Sequence, residues 1–290
     1  MLQSKRGEKC LVKLILIDID GTLVRDDKTL PPENEEAVKE ALRSGVLVTL
    51  VTGRNYGAAK EIIDKLQLDV PVVLQNGAFI YRPYSGEVIR KVGLSGETAK
   101  SVIQACRKEG VFYILYRDFL MEKDMLVDQD YEGPFSAYLK RNAVRLDRVE
   151  DVTDFIADEV AEVALIGTEG EILRVLERLR DGENFTVIKS LTREDEAFYE
   201  VFGPKVGKGE ALNYLCLHFG VTPEEVMFIG DAYNDIDIMP LVGFPVAMGN
   251  AVEEVKEFAK AVTKSNNEGG VAWAIRHFVL GAQENFPRPN

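Results

Sequence analysis

Two aspartates two residues apart, Asp18 and Asp20, directly follow the apolar run Leu14-Ile15-Leu16-Ile17. On an extended backbone, positions i and i+2 point to the same side. Two carboxylates held that close ionise together only when a cation or hydrogen bonds compensate. A second pair, Asp231 and Asp235, follows another apolar run, Val226–Ile229, within Gly230-Asp231-Ala232-Tyr233-Asn234-Asp235. One such aspartate is ordinary turn or helix-cap chemistry. Four at strand ends of a single sheet, accompanied by Thr52 and Lys208, call for a hard divalent cation held by oxygens, and Mg²⁺ fits best. Two further strand ends carry polar residues suited to an anion: Thr52-Gly53-Arg54 and Gln75-Asn76-Gly77.

These residues need a scaffold that gathers strand ends. The continuous apolar runs Leu14–Ile17, Val46–Val51 and Val72–Leu74 read as strands buried on both faces. Between them, Ala37, Val38, Ala41 and Leu42, then Ala58, Ala59, Ile62, Ile63 and Leu66, recur at helical spacing. This is a βαβαβ pattern, hence a parallel sheet with right-handed crossovers. The last third repeats the style. A helix is expected over Glu210–Phe219, a strand over Val226–Ile229 and a helix from about Asp235. Strands near Phe244–Ala247 and Ala261–Val262 then alternate with helices from Val252 and around Trp273. In such sheets ligands bind at the carboxyl ends of the strands. The middle of the chain differs: its strands are more amphipathic, as in Glu87–Val92, its connections are longer, and Asp147–Glu159 is acidic. The expected fold is therefore α/β: a Rossmann-like, doubly wound parallel core from residues 1–82 and 203–290, with residues 83–202 inserted as an α+β cap.

Composition narrows the function. With 35 Lys+Arg against 48 Asp+Glu in 290 residues, the net charge is −13, and no basic run is present. That argues against binding a nucleic-acid backbone, which needs clustered Lys and Arg to release counterions. Cys10, Cys106 and Cys216 form no CxxC pair, and the only histidines are His218 and His277. Neither a disulfide framework nor a zinc site follows, which suits a reducing compartment. The apolar run near the N-terminus is too short for a signal or a membrane span. The expectation is a cytoplasmic protein with no membrane and no nucleic-acid partner, a monomer or small homo-oligomer. Gly203–Gly209 resembles a phosphate-binding Walker loop, but it is one residue short and has Gly209 where a hydroxyl should ligate metal. Most of Tyr113, Tyr116, Phe119, Tyr131, Phe135 and Tyr138 should fill the cap core, with one or two facing substrate.

Asp18-Ile-Asp20-Gly21-Thr22-Leu23 resembles the first motif of the haloacid dehalogenase (HAD) superfamily. Thr52, Lys208 and Gly230-Asp231-x-x-Asn234-Asp235 resemble its other three motifs. Thr52-Gly-Arg54, Asn76-Gly-Ala and Gly269-Gly-Val271 are closer to one branch, the Cof-type phosphatases, which carry a large cap after the third core strand. The resemblance implies a Mg²⁺-dependent phosphatase of small phosphorylated metabolites, sugar phosphates foremost. Asp18 would be the nucleophile forming an aspartyl-phosphate, and Asp20 the general acid and base. Metal would be held by Asp18, the Asp20 carbonyl and Asp231, with Asp235 acting through water or by orienting Lys208. Thr52, Gly53, Arg54, Asn76 and Asn234 would meet phosphate, and Lys208 would offset its charge. Gly207 departs from relatives that more often carry Ser there. The alternatives within this reading are a sugar phosphomutase, a phosphoglycolate or other small-molecule phosphatase, and a catalytically silent metabolite-binding regulator.

Overall fold

A computed structural model describes residues 12–179 and 184–281. Cys10 lies outside the described residues; Cys106 and Cys216 are free and buried. The chain forms two compact units, one from Met1–Leu50, Leu212–Asp231 and Ile238–Asn290, the other from Val51–Ala211 and Ala232–Asp237.

The first unit is built on a five-stranded, all-parallel sheet. Its spatial order is Ala261–Val262, Phe244–Ala247, Val226–Gly230, Leu14–Ile17, Leu47–Leu50. Leu14, Ile15, Leu16 and Ile17 are all fully buried, as an unbroken apolar run in a two-sided sheet requires. From Leu14–Ile17 the chain crosses to Leu47–Leu50 on one side and, much later, supplies Val226–Gly230 on the other. That change of direction is a topological switch point, where the crevice outside the strand ends opens. Helix Pro32–Arg43 starts with Pro at its first turn and buries Ala37, Val38 and Ala41. Buried Asn34 ties helix to turn: its Nδ2 donates to the Leu23 carbonyl and its Oδ1 accepts from Ala272 N. Helix Lys208–Phe219 begins two residues earlier than the hydrophobic spacing suggests and is followed by Gly220 at φ +66°. The helix expected from Asp235 does not form. Pro240 lacks an N–H and its ring opposes a continuing helix, so the segment breaks into the tight turns Tyr233–Asp235 and Met239–Leu241.

In the second unit, Val72–Leu74 does not extend a broad parallel sheet as the βαβαβ pattern suggests. It meets Val51 through one parallel bridge to Val73, then pairs antiparallel with Phe79–Arg82, which pairs with Glu87–Lys91. Helix Tyr56–Leu66 is capped by Asn55, whose Oδ1 accepts from Ala58 N. The rest is a six-stranded sheet. It runs Thr186–Arg193, Glu196–Phe202, Glu162–Thr168, Phe112–Tyr116, Met125–Val127, Leu146–Arg148, antiparallel except for the last pair. Helices Gly96–Glu109 and Glu169–Arg178 share a hydrophobic core with this sheet, including Val102, Ile103, Leu165, Ile172 and Val201. Among the described residues, no helix is long and apolar enough to cross a membrane.

Candidate active site

The first unit brings together Asp18 and Asp231 at the carboxyl ends of adjacent parallel strands. Asp18 N donates to the Ile229 carbonyl at 3.0 Å, extending the sheet by one bond. The two carboxylates approach within 4.8 Å, and Asp18 is only 4% exposed. The turn between the motif residues is shaped by Gly21 at φ +77°, where a Cβ would stand 2.1 Å from Asp231 Oδ2. Only glycine fits there, on both backbone and steric grounds. Thr22 Oγ1 donates to Asp231 Oδ1 at 2.7 Å, and Asn250 Nδ2 holds the Gly21 carbonyl at 2.8 Å. Asp20 stays on extended backbone, as expected, but its half-exposed carboxylate accepts from Lys28 Nζ at 2.7 Å. Sequence reasoning passed over Lys28. Its signal was weak, a lone lysine in a polar turn.

The second unit gathers the polar strand ends. Thr52 is buried, and its Oγ1 accepts from Arg54 N at 3.1 Å. Asn76 N donates to the Thr52 carbonyl and Gln75 N to the Arg54 carbonyl, lacing the Thr52-Gly53-Arg54 turn to the Gln75–Gly77 turn. Arg54 reaches its own helix, Nη1 donating to the Ala58 carbonyl. Asn76 holds a left-handed backbone at φ +53° and links two partners. Its Oδ1 accepts from Asn234 Nδ2 at 2.9 Å, while its Nδ2 donates to Glu200 at 2.9 Å. Gly77, at φ +98°, lets this turn press on the Gly207 carbonyl, 2.4 Å from where a Cβ would sit. Next in line, Lys208 Nζ donates to Asp235 Oδ1 at 2.6 Å, with both side chains fully buried. Asp235 Oδ2 in turn accepts from Ala232 N. The departure at Gly207 has a local cause: a Cβ there would stand 2.5 Å from Asp237 Oδ2, which accepts from Gly209 N.

Glu200 was not anticipated, although a lone carboxylate inside the apolar strand Phe198-Tyr199-Glu200-Val201-Phe202 was visible. It accepts from Ser190 Oγ as well as from Asn76. Burial pushes its carboxyl up to about 7, opposed by those hydrogen bonds and by the Lys208 charge. Folded protein therefore keeps this proton up to about pH 7, whereas the unfolded chain releases it near 4.5. The stability it confers is complete below about pH 4.5 and is lost as pH rises to 7, a fall of up to about 3 kcal/mol. Denaturant unfolding at pH 5 and 7.5 should show this slope in the native protein, and Glu200→Gln should flatten it.

A sequence profile of haloacid dehalogenase-like hydrolases matches residues 15–275, spanning both units and every motif above. The chain belongs to that family. Several similar curated relatives are named as phosphatases. A Bacillus subtilis 5-amino-6-(5-phospho-D-ribitylamino)uracil phosphatase, YcsE, is 32% identical over 96% of this chain and 100% of its own. A Streptococcus pyogenes putative phosphatase is 30% identical over 93% and 99%. Among solved structures, the HAD subclass IIB sugar phosphatase BT4131 matches with TM-score 0.77 at 27% identity, covering 92% of this chain and 98% of that one. The HAD phosphatase BT1666 from Bacteroides thetaiotaomicron matches with TM-score 0.79 at 25% identity, over 95% and 98%. This HAD protein is accordingly a phosphoric monoester hydrolase with an α/β Rossmann-like fold, acting on small phosphorylated metabolites. HAD phosphatases use a divalent metal. The donor set here fits one: hard carboxylate oxygens, Asp18 buried and Asp231 partly so, with Asp231 given room by a residue that has no side chain.

Proposed function

We propose that this chain is a Mg²⁺-dependent phosphatase of sugar phosphates that works through an aspartyl-phosphate on Asp18. The observation that carries the reading is the pairing of buried Asp18 with partly buried Asp231 at the ends of neighbouring parallel strands. Asp18 attacks phosphorus and the sugar hydroxyl leaves; Asp20 gives that oxygen a proton, then takes one from the water that cleaves the acyl-phosphate. Lys28, paired with Asp20, holds the acid–base carboxyl in place between those steps. Thr52 and the backbone N–H of Gly53 donate to phosphoryl oxygens. Asn76 and Asn234, locked to each other, present a fixed amide edge. Lys208, oriented by Asp235, balances charge as the phosphoryl group transfers.

Asp18, the Asp20 carbonyl and Asp231 would hold Mg²⁺, with Asp235 acting on it indirectly. The bound cation supplies charge neutralisation for a phosphate that otherwise faces several carboxylates. The aspartates at 231 and 235 share one short loop, so a single segment serves both the metal ligands and the lysine. Residues 83–202, with the six-stranded sheet at their centre, act as the cap that chooses the leaving group, on a core of residues 1–82 and 203–290. Phosphate release from a panel of sugar phosphates should stop on thorough chelation and return with Mg²⁺ alone. Appreciable turnover in the chelated enzyme would overturn the metal assignment.

A further inference from the structure

Strand alternation divides the six-stranded sheet of the second unit into two faces. Tyr113, Leu115, Val163, Leu165, Tyr199 and Val201 belong to the core shared with the two long helices. The intervening Tyr116, Glu162 and Glu200 go to the opposite face, where Glu162 is directly across from Tyr116 and Glu200 from Ala164. All three are buried, at 3%, 3% and 6% exposure. Around them Tyr116 and Tyr138 share a hydroxyl hydrogen bond, and Arg145 forks onto buried Asp124 at 2.7 and 3.0 Å.

This buried polar face is not self-sufficient. Both side-chain amide atoms of Gln75, and Oε2 of Glu162, are buried with no hydrogen-bond partner. Native interiors seldom leave such groups unmatched, and each one needs an explanation. Burial and the charge of Glu200 push the Glu162 carboxyl up, while the neighbouring Gln75 amide pulls it down. Gln75 also stands at φ +45°, directly before Asn76 at +53°. Two consecutive side-chain-bearing residues in the left-handed region are strained, and such strain persists where surroundings hold side chains for a task. An amide and a carboxyl side by side offer donors and acceptors together, which is what a hydroxyl needs.

We propose that Gln75 and Glu162 are a recognition pair for a hydroxyl on the leaving group, making this enzyme selective for polyol and sugar monophosphates. The inference rests on the phosphatase reading and places selection next to Asn76 in the chain. Gln75→Leu and Glu162→Met replace these groups with apolar side chains of similar size, and thermal unfolding reads whether the fold tolerates each change.

The test compares the full chain, with Mg²⁺, on p-nitrophenyl phosphate and on a series of glycerol, pentitol, hexitol and hexose monophosphates. In each variant the kcat/KM ratio of the best hydroxylated substrate to p-nitrophenyl phosphate should fall about tenfold or more, mainly through KM. Glu162→Gln, which keeps a donor and an acceptor, should restore most of that ratio, and thermal unfolding should not drop. Parallel loss on all substrates, or no change in the ratio, would mean the groups bind only a structural water and would overturn the proposal. A wild-type enzyme that cleaves p-nitrophenyl phosphate but no hydroxylated monoester would overturn it while leaving the phosphatase reading intact. Failure on every substrate would remove the phosphatase reading first.

Discussion

Asp18→Asn should lower phosphate release by about four orders of magnitude while the protein keeps its fold. The amide is nearly isosteric, and the bond that anchors this position in the sheet is made by Asp18 N, which the substitution leaves untouched. What disappears is the anionic oxygen that attacks phosphorus and half of the carboxylate pair at the strand ends. The loss should appear in kcat with unchanged thermal unfolding. Beryllium fluoride with Mg²⁺ should form a stable adduct on the wild type and none on the variant. A variant retaining one per cent of the activity would exclude Asp18 as the nucleophile.

Lys208→Met should cost stability as well as activity, by about 3–5 kcal/mol. Lys208 and Asp235 are fully buried and joined at 2.6 Å, so the variant leaves a carboxylate in the interior without its ammonium. The double variant Lys208→Met, Asp235→Asn should recover most of the stability and none of the turnover, because a neutral side chain tolerates burial and a missing cation cannot balance phosphate. Urea unfolding of the single and double variants reads the coupling directly. Additive effects of the two substitutions would show that the pair is not coupled.

Much of this is legible in the sequence itself. Leu14–Ile17 and Val226–Gly230 announce themselves because a strand buried on both faces admits no polar interruption, and the polar residue that ends each run is then conspicuous. Asp18 and Asp231 stand out on that signal, whereas Lys208 follows no buried strand and is singled out by its motif alone. The break after Asp235 was harder: apolar spacing continued across it, and only Pro240 carried the contrary information. The antiparallel turn-back of Val72–Leu74 depends on which strand comes alongside, and a single sequence is silent on that. Glu162 and Glu200 belong to no motif, so nothing in the sequence assigns them a role. Their meaning lies in register, which sets Glu162 across from Tyr116 and Glu200 across from Ala164 on one buried face.

The spatial order of the five-stranded sheet also bears on how the chain is made. Leu14–Ile17 leaves the ribosome long before Val226–Gly230, one of its two neighbours in the sheet and more than two hundred residues later in the chain. Until then its second edge has no native partner, and an exposed apolar edge is a template for aggregation. Residues 51–211 are contiguous and hold the three sheets of the second unit, so those strands can complete their pairing during synthesis. The sheet bearing Asp18 must wait, and its slow, long-range closure is the step at which a nascent chain would most need a chaperone.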